Sequence, residues 1–369
     1  MLREHGVHIP YKQAWLGKDH ARVVLDGSDI SSYDLLLWYV DKVAETNTGS
    51  IVIVERNGDR FERAFFSFSA CIVGFKRACR PLLFLDGTHL LGKYRGTLLG
   101  ATGKDGINGF FHVAFGIADN ETDGNWTWFI SKLGNALYDE GDYHEIITFV
   151  SNRSKGLVNA IARVFPSSPY VYCLRYLEAN FMKSNVRLGK ALRKEYWSIC
   201  FRIAWASTAK EFDDTVNELQ VTSPEAHHWL INKSDMTHWS NYLFRGDHWG
   251  EMYSNVAESF NAWIKEACHL LVTKMVDSIR FKLMRMLCNR REQVNKWETY
   301  LCSDIHLKTD TNVHRFFSGY FTVDNYKLAY KEAIFHIPDD DKPSDGNREL
   351  RLQPPVTRRQ PGRRRRKRI

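Results

Sequence analysis

Leu82-Leu-Phe-Leu-Asp86-Gly-Thr-His89 is an apolar run that ends in Asp-Gly. Consecutive apolar residues stopped by turn chemistry predict a buried strand, and such a strand delivers the Asp86 carboxylate to its own tip, where sheet enzymes hold divalent cations. Downstream, Thr97-Leu-Leu-Gly-Ala-Thr102 and Phe110-Phe-His-Val-Ala-Phe-Gly-Ile117 predict two more strands behind Gly-containing turns, which makes a meander. Helical spacing at Trp126–Leu137, a strand over Glu145–Ser151, a helix over Gly156–Phe165 and a short strand over Tyr170–Cys173 complete the order β-β-β-α-β-α-β.

Three antiparallel strands that then acquire parallel ones through crossover helices imply an α/β fold. Its expected form is a mixed sheet flanked by helices, with the strand order of the ribonuclease-H-like fold, over residues 81–173. Before it, residues 1–80 read as an α+β region: helical pieces at Tyr11–Leu25 and Tyr33–Val40, a hairpin joined through Asn57-Gly58, and a helix over Ser69–Arg80. Residues 174–249 are nearly all helical in pattern and form an insertion before the last acidic helix, Tyr253-Ser-Asn-Val-Ala-Glu258-Ser-Phe-Asn261. Residues 250–336 continue as a helical part of the core, and 337–369, without periodicity, read as a disordered basic tail.

With 369 residues, 44% hydrophobic and 13% aromatic, the chain can bury one large core and a second smaller one. No apolar stretch approaches the ~20 residues that span a bilayer. The charges in Met1-Leu-Arg-Glu-His-Gly-Val-His8 stand where a secretory signal has its apolar core, so neither insertion nor secretion is expected. Seven cysteines, odd in number and without a C-x-x-C pair, supply neither a disulfide framework nor a structural zinc site. The net charge of +8 is located in the tail: Arg351, Arg358, Arg359, Arg363, Arg364, Arg365, Arg366, Lys367 and Arg368 are nine basic residues without an acid, and subtracting them leaves about −1 for the rest. Nuclear import or phosphate contact is the reading of Arg358–Arg368.

Several ordered blocks carry a family resemblance. Phe84-Leu-Asp86-Gly-Thr-His89, Leu99-Gly-Ala-Thr-Gly-Lys-Asp-Gly106, Asn125-Trp-Thr-Trp-Phe129, Tyr172-Cys-Leu-Arg-Tyr-Leu-Glu-Ala-Asn-Phe181 and Ser254-Asn-Val-Ala-Glu-Ser-Phe-Asn261 resemble the plant Mutator-like element (MuDR-type) transposases. The far-red impaired response transcription factors are related domesticated members. The resemblance implies three acids on a ribonuclease-H-like sheet that hold Mg2+ or Mn2+ for DNA cleavage and strand transfer. Position by position, Asp86 matches the first acid and Glu258 the third, both as metal ligands, while the second falls on Asn152. The family's metal-binding Cys-x-x-His is here Cys173-Leu-Arg-Tyr176, without its histidine. Of a SWIM-type finger only Cys302, His306 and His314 remain, too few for four tetrahedral ligands.

An Asn at position 152 keeps the shape of an Asp and removes one negative charge from a site meant for up to four positive ones, so metal affinity and turnover fall. Each site residue also has a plainer reading: Asp86 as a turn former, Glu258 as a capping-box acid behind Ser254, Asn152 as a turn residue or helix cap, His112 as a satisfied strand histidine, Cys173 as a buried thiol. The tryptophans at 126, 128, 197, 205, 229, 239 and 249 read as core packing, or as faces on which bases stack. Three functions stay open: a nuclear, transposon-derived DDE-type protein with impaired catalysis; a domesticated DNA-binding or transcriptional regulator; and a decaying element without activity. DNA, as transposon ends or an unknown target, is the expected partner; self-association is open, and no membrane partner is expected.

Overall fold

The computed structural model describes residues 27–139, 141–302, 318–340, 342–343 and 351–356, with isolated residues 10, 13 and 17. The helix read at Tyr11–Leu25, His306, His314 and the basic run Arg358–Arg368 lie outside the described residues. Helix α1 (Asp29–Thr46) starts at a capping box in which the Ser28 hydroxyl accepts from Ser31 N and the Ser31 side chain returns to the Ser28 backbone. Strands β1 (Ile51–Asn57) and β2 (Arg60–Ser67) follow as a hairpin whose two-residue turn places Gly58 at φ +64°, a conformation that glycine adopts freely.

Next come α2 (Ser69–Ala78), β3 (Leu82–His89), β4 (Thr97–Lys104), β5 (Phe110–Ala118), α3 (Asp123–Tyr138), β6 (Thr148–Ser151), α4 (Lys155–Val164) and β7 (Tyr170–Tyr172). All seven strands join one mixed sheet in the order β1-β2-β5-β4-β3-β6-β7, antiparallel except for the β3–β6 and β6–β7 pairs. The N-terminal hairpin extends the meander through β2 and β5. Helices cover both faces, which is why β3 is a continuous apolar run rather than an alternating one. On one face Phe84 and Val150 pack with Val256 and Ala257 of α9 (Asn255–Trp263). On the other, Phe129 of α3 lies so close to Gly116 that a Cβ there would meet its ring at 2.9 Å.

Helices α5 (Leu174–Ser184), α6 (Lys190–Trp205), α7 (Ala209–Thr222) and α8 (Pro224–Lys233) form the insertion, with a core of its own around Phe181, Trp197, Cys200, Trp229 and Trp239. Helices α10 (Val272–Val294) and α11 (Val323–Ala329) return to the main core. Trp126, Trp128, Trp197, Trp229 and Trp239 are buried, so their faces are taken by packing; Trp205 is 36% exposed.

Most elements differ from the sequence reading by one to three residues at an end, and three departures bear on the site and the tail. β3 does not stop at Asp86: its parallel pairing ends at Leu85↔Ser151, while its antiparallel pairing with β4 runs on to His89↔Thr97. β6 starts at Thr148 rather than Glu145, because only from Leu82↔Thr148 onward does β3 offer a partner. The stretch after 337, read as wholly disordered, docks in part: Ile337 and Leu352 are buried, Gln353 forms a parallel bridge with Arg60, and Arg351 N donates to Asp34 Oδ1 at 2.7 Å. A buried leucine and a satisfied carboxylate tie down chain that lacks local periodicity.

Candidate functional site

The parallel strands end together. Leu85, Ser151 and Tyr172 stand in register across β3, β6 and β7, so Asp86, Asn152 and Cys173 are the next residues at neighbouring strand ends. Helix α9 lies over this end and brings Asn261, whose Nδ2 donates to Asp86 Oδ2 at 2.9 Å. Asp86 is 9% exposed. Burial pushes its carboxyl up to about 7, assisted by the charges of Glu121 and Glu258 and opposed by hydrogen bonds from Gly87 N and Asn261.

Glu121, in the turn between β5 and α3, was not among the residues singled out by sequence. A Cβ on Gly87 would sit 2.6 Å from its carboxylate, so glycine after Asp86 makes room for a second acid rather than forming a turn. Burial raises the Glu121 carboxyl as well, against the pull of His89 and the Trp126 ring N–H, which falls short of a formed hydrogen bond. The only signal in the sequence is the smallness of Gly87 beside an acid, which does not say which distant residue fills the space.

Glu258 sits in the first turn of α9, but no capping box forms: the Ser254 hydroxyl makes no cap bond and instead donates to Cys173 Sγ at 3.2 Å, as does Ser254 N at 3.3 Å. The Glu258 carboxylate pairs with Arg175 Nη1, and Arg175 Nη2 donates to Asn255 Oδ1 at 2.6 Å. Both partners are substantially exposed, so the pair contributes at most ~1 kcal/mol. Tyr176, where the motif has histidine, faces the two acids: burial first, then the Asp86 and Glu258 charges, push its phenol up to about 12. Cys173 is a buried thiol whose sulfur is occupied by Ser254.

Asn152 is turned inward on its own loop. Its Oδ1 accepts from Ser154 N at 3.1 Å, and its carbonyl accepts from Ser151 Oγ at 2.7 Å and Tyr170 Oη at 2.9 Å. That bond from Ser154 N is the turn-residue role read from the sequence. Nearby, His112 stacks on Phe260 at 3.4 Å between ring centroids, with Nδ1 2.9 Å from Thr102 Oγ1, and burial holds its pKa well below the usual value.

Among the described residues, no set of three or more His, Cys, Asp or Glu side chains is close enough to hold a metal ion. Asp86, Glu121 and Glu258, which do not converge on one point and of which Glu258 is already on a guanidinium, do not fit the pair of divalent cations that the resemblance implies. Nor is any helix among them long and apolar enough to cross a membrane. No curated protein matches the chain. Residues 82–180, which contain Asp86, Glu121, Asn152, Cys173, Arg175 and Tyr176 and stop short of Glu258, match the family model of the MULE transposase domain, so this segment is similar to Mutator-like transposases.

Proposed function

We propose that this chain is a transposase-derived, DNA-directed protein on a ribonuclease-H-like sheet, whose ancestral reaction was Mg2+- or Mn2+-dependent DNA cleavage and strand transfer and whose own catalysis is impaired. The observation that carries this reading is Asn152. It directly follows β6, as Asp86 follows the last paired residue of β3, where the resemblance implies a second carboxylate, and its amide oxygen accepts from Ser154 N. The meander β5-β4-β3 continued by the parallel β6 and β7 supports the fold part of the reading, and the MULE match supports the descent. Nuclear localisation rests on the Arg358–Arg368 run.

The test is strand cleavage of transposon-end DNA with Mg2+ or Mn2+, natural protein beside Asp86→Ala. Equal, background-level nicking is the expected result; robust metal-dependent nicking that Asp86→Ala abolishes overturns the impaired reading. A second reading, a DNA-binding regulator without catalysis, is favoured by the Arg175–Glu258 pair, which neutralises within the chain a charge that a cation would otherwise meet. Salt-dependent DNA binding that survives Asp86→Ala and is lost on deletion of residues 358–368 separates it from a protein with no remaining role.

A further inference from the structure

At the outer edge of the sheet, β7 and the end of the helical insertion border an open groove of about 460 Å³ that the acid pair does not use. That volume lies within the ~300–1,000 Å³ typical of small-ligand sites. Its lining mixes polar and apolar side chains: Arg153, Tyr172, Lys233 and Asp235 beside Ile231 and Leu243. The Arg153 guanidinium lies over the Tyr172 ring, 5.6 Å from its centroid, and Nη1 donates to the Lys233 carbonyl at 2.8 Å, which fixes the cation at the mouth. His238 packs on Tyr172 with ring centroids 4.6 Å apart, so an imidazole, a phenol ring and a guanidinium are gathered at one place.

The charges are unbalanced in a useful direction. Asp235, the acid of the lining, is engaged by its own neighbours: its Oδ1 accepts from Thr237 N at 3.1 Å and Thr237 Oγ1 at 2.6 Å, and its Oδ2 lies 3.6 Å from His238 Nε2. Neither Arg153 nor Lys233 has a carboxylate partner among the described residues, and both are exposed. Two free cations beside stacked planar groups match the needs of a nucleotide: phosphate oxygens for the cations, a base plane for the guanidinium and rings. We propose that this groove binds a single-stranded DNA segment, taking a phosphate between Arg153 and Lys233 and stacking a base on the Arg153–Tyr172 pair. It opens at the same strand ends as Asp86 and Asn152, since Arg153 directly follows Asn152, but on the Tyr172 side of the edge strand. The proposal rests on the DNA-directed reading above.

The experiment uses the full chain and a single-stranded oligonucleotide carrying 5-iodouracil, with photo-crosslinks mapped by mass spectrometry and affinity measured across salt concentrations. Expected are adducts at Tyr172 or His238, and for Lys233→Glu an affinity loss on the order of tenfold with a salt slope reduced by about 1. Lys233 is exposed and its side chain makes no hydrogen bond or ion pair among the described residues, so this variant keeps its structure where Arg153→Ala unseats the loop; Lys210→Glu on α7, outside the lining, is the charge-matched control. Adducts confined to residues 358–368, or equal losses for Lys233→Glu and Lys210→Glu, overturn the groove while the DNA-directed reading stands. No binding by the full chain overturns both.

Discussion

Asp86 keeps a carboxyl near neutrality because it is buried and flanked by Glu121 and Glu258. Restoring the missing acid adds to that crowding. Asn152→Asp should lower stability without metal by roughly one pKa unit's worth, ~1.4 kcal/mol, and millimolar Mg2+ should raise the variant's Tm but not that of the natural protein. Thermal melts with Mg2+ and with a chelator measure this; no Mg2+-dependent difference would mean that the site is lost through Arg175 and Tyr176 as well as Asn152. His112 gives a separate test, through a base rather than an acid. Its folded pKa is depressed by burial, so below its unfolded pKa of ~6.5 the unfolded chain binds the extra proton and stability falls on acidification, by up to ~1.4 kcal/mol per pH unit. His112→Phe should flatten that slope in urea titrations between pH 7 and pH 5; an unchanged slope would assign it to other groups. Asp86, Asn152 and Glu258 are legible in the sequence because blocks of residues frame them. Tyr176 is legible in the same way, as the residue that stands where Cys-x-x-His has its histidine, but Glu121 and the pairing of Arg175 with Glu258 are not, since they come from the β5–α3 turn and from α5 meeting α9, and no local spacing encodes either.

Elements follow from local chemistry where both partners are local. The β-β-β-α-β-α-β succession is readable because apolar runs alternate with helical spacing, and the Asn57-Gly58 turn announces its hairpin. What the hairpin does next is not readable: β2 pairs with β5 through Ala64↔Ile117, a register chosen by packing between segments some fifty residues apart. Likewise β6 is cut to four residues by the start of β3. Close approach between elements is a sharper matter still. A Cβ at Gly74 of α2 would lie 2.2 Å from the Ala329 carbonyl of α11 and 2.8 Å from the Phe111 ring. Gly74→Ala, favourable for an isolated helix, should therefore destabilise the protein by ~1–3 kcal/mol through overpacking. A neutral or stabilising result in chemical denaturation would show that α11 can move away.

Among the described residues three apolar clusters hold the molecule together: a large one on the sheet, a small one between its parallel strands and α9, and one inside the helical insertion. The main body is tied together by Asp105, whose carboxylate receives Gly109 N at 2.7 Å, Tyr330 Oη at 2.8 Å and the Arg290 guanidinium at 3.1 Å, joining the β4–β5 turn to α10 and to the residue after α11. Arg290→Met leaves that buried carboxylate without its cation and should cost ~3–5 kcal/mol in urea unfolding; a loss below ~1 kcal/mol would show that Tyr330 and the backbone donors suffice. The docked segment 351–356 has a different kind of consequence. Gln353 fixes the chain at Arg60, the first residue of β2, and the run Arg358–Arg368 begins two residues past Val356. Five strand spacings, about 24 Å, separate β2 from β7. The anchor therefore fixes the point from which the basic run departs: the chain is tethered beside β2, with the width of the sheet between that tether and the Arg153 groove.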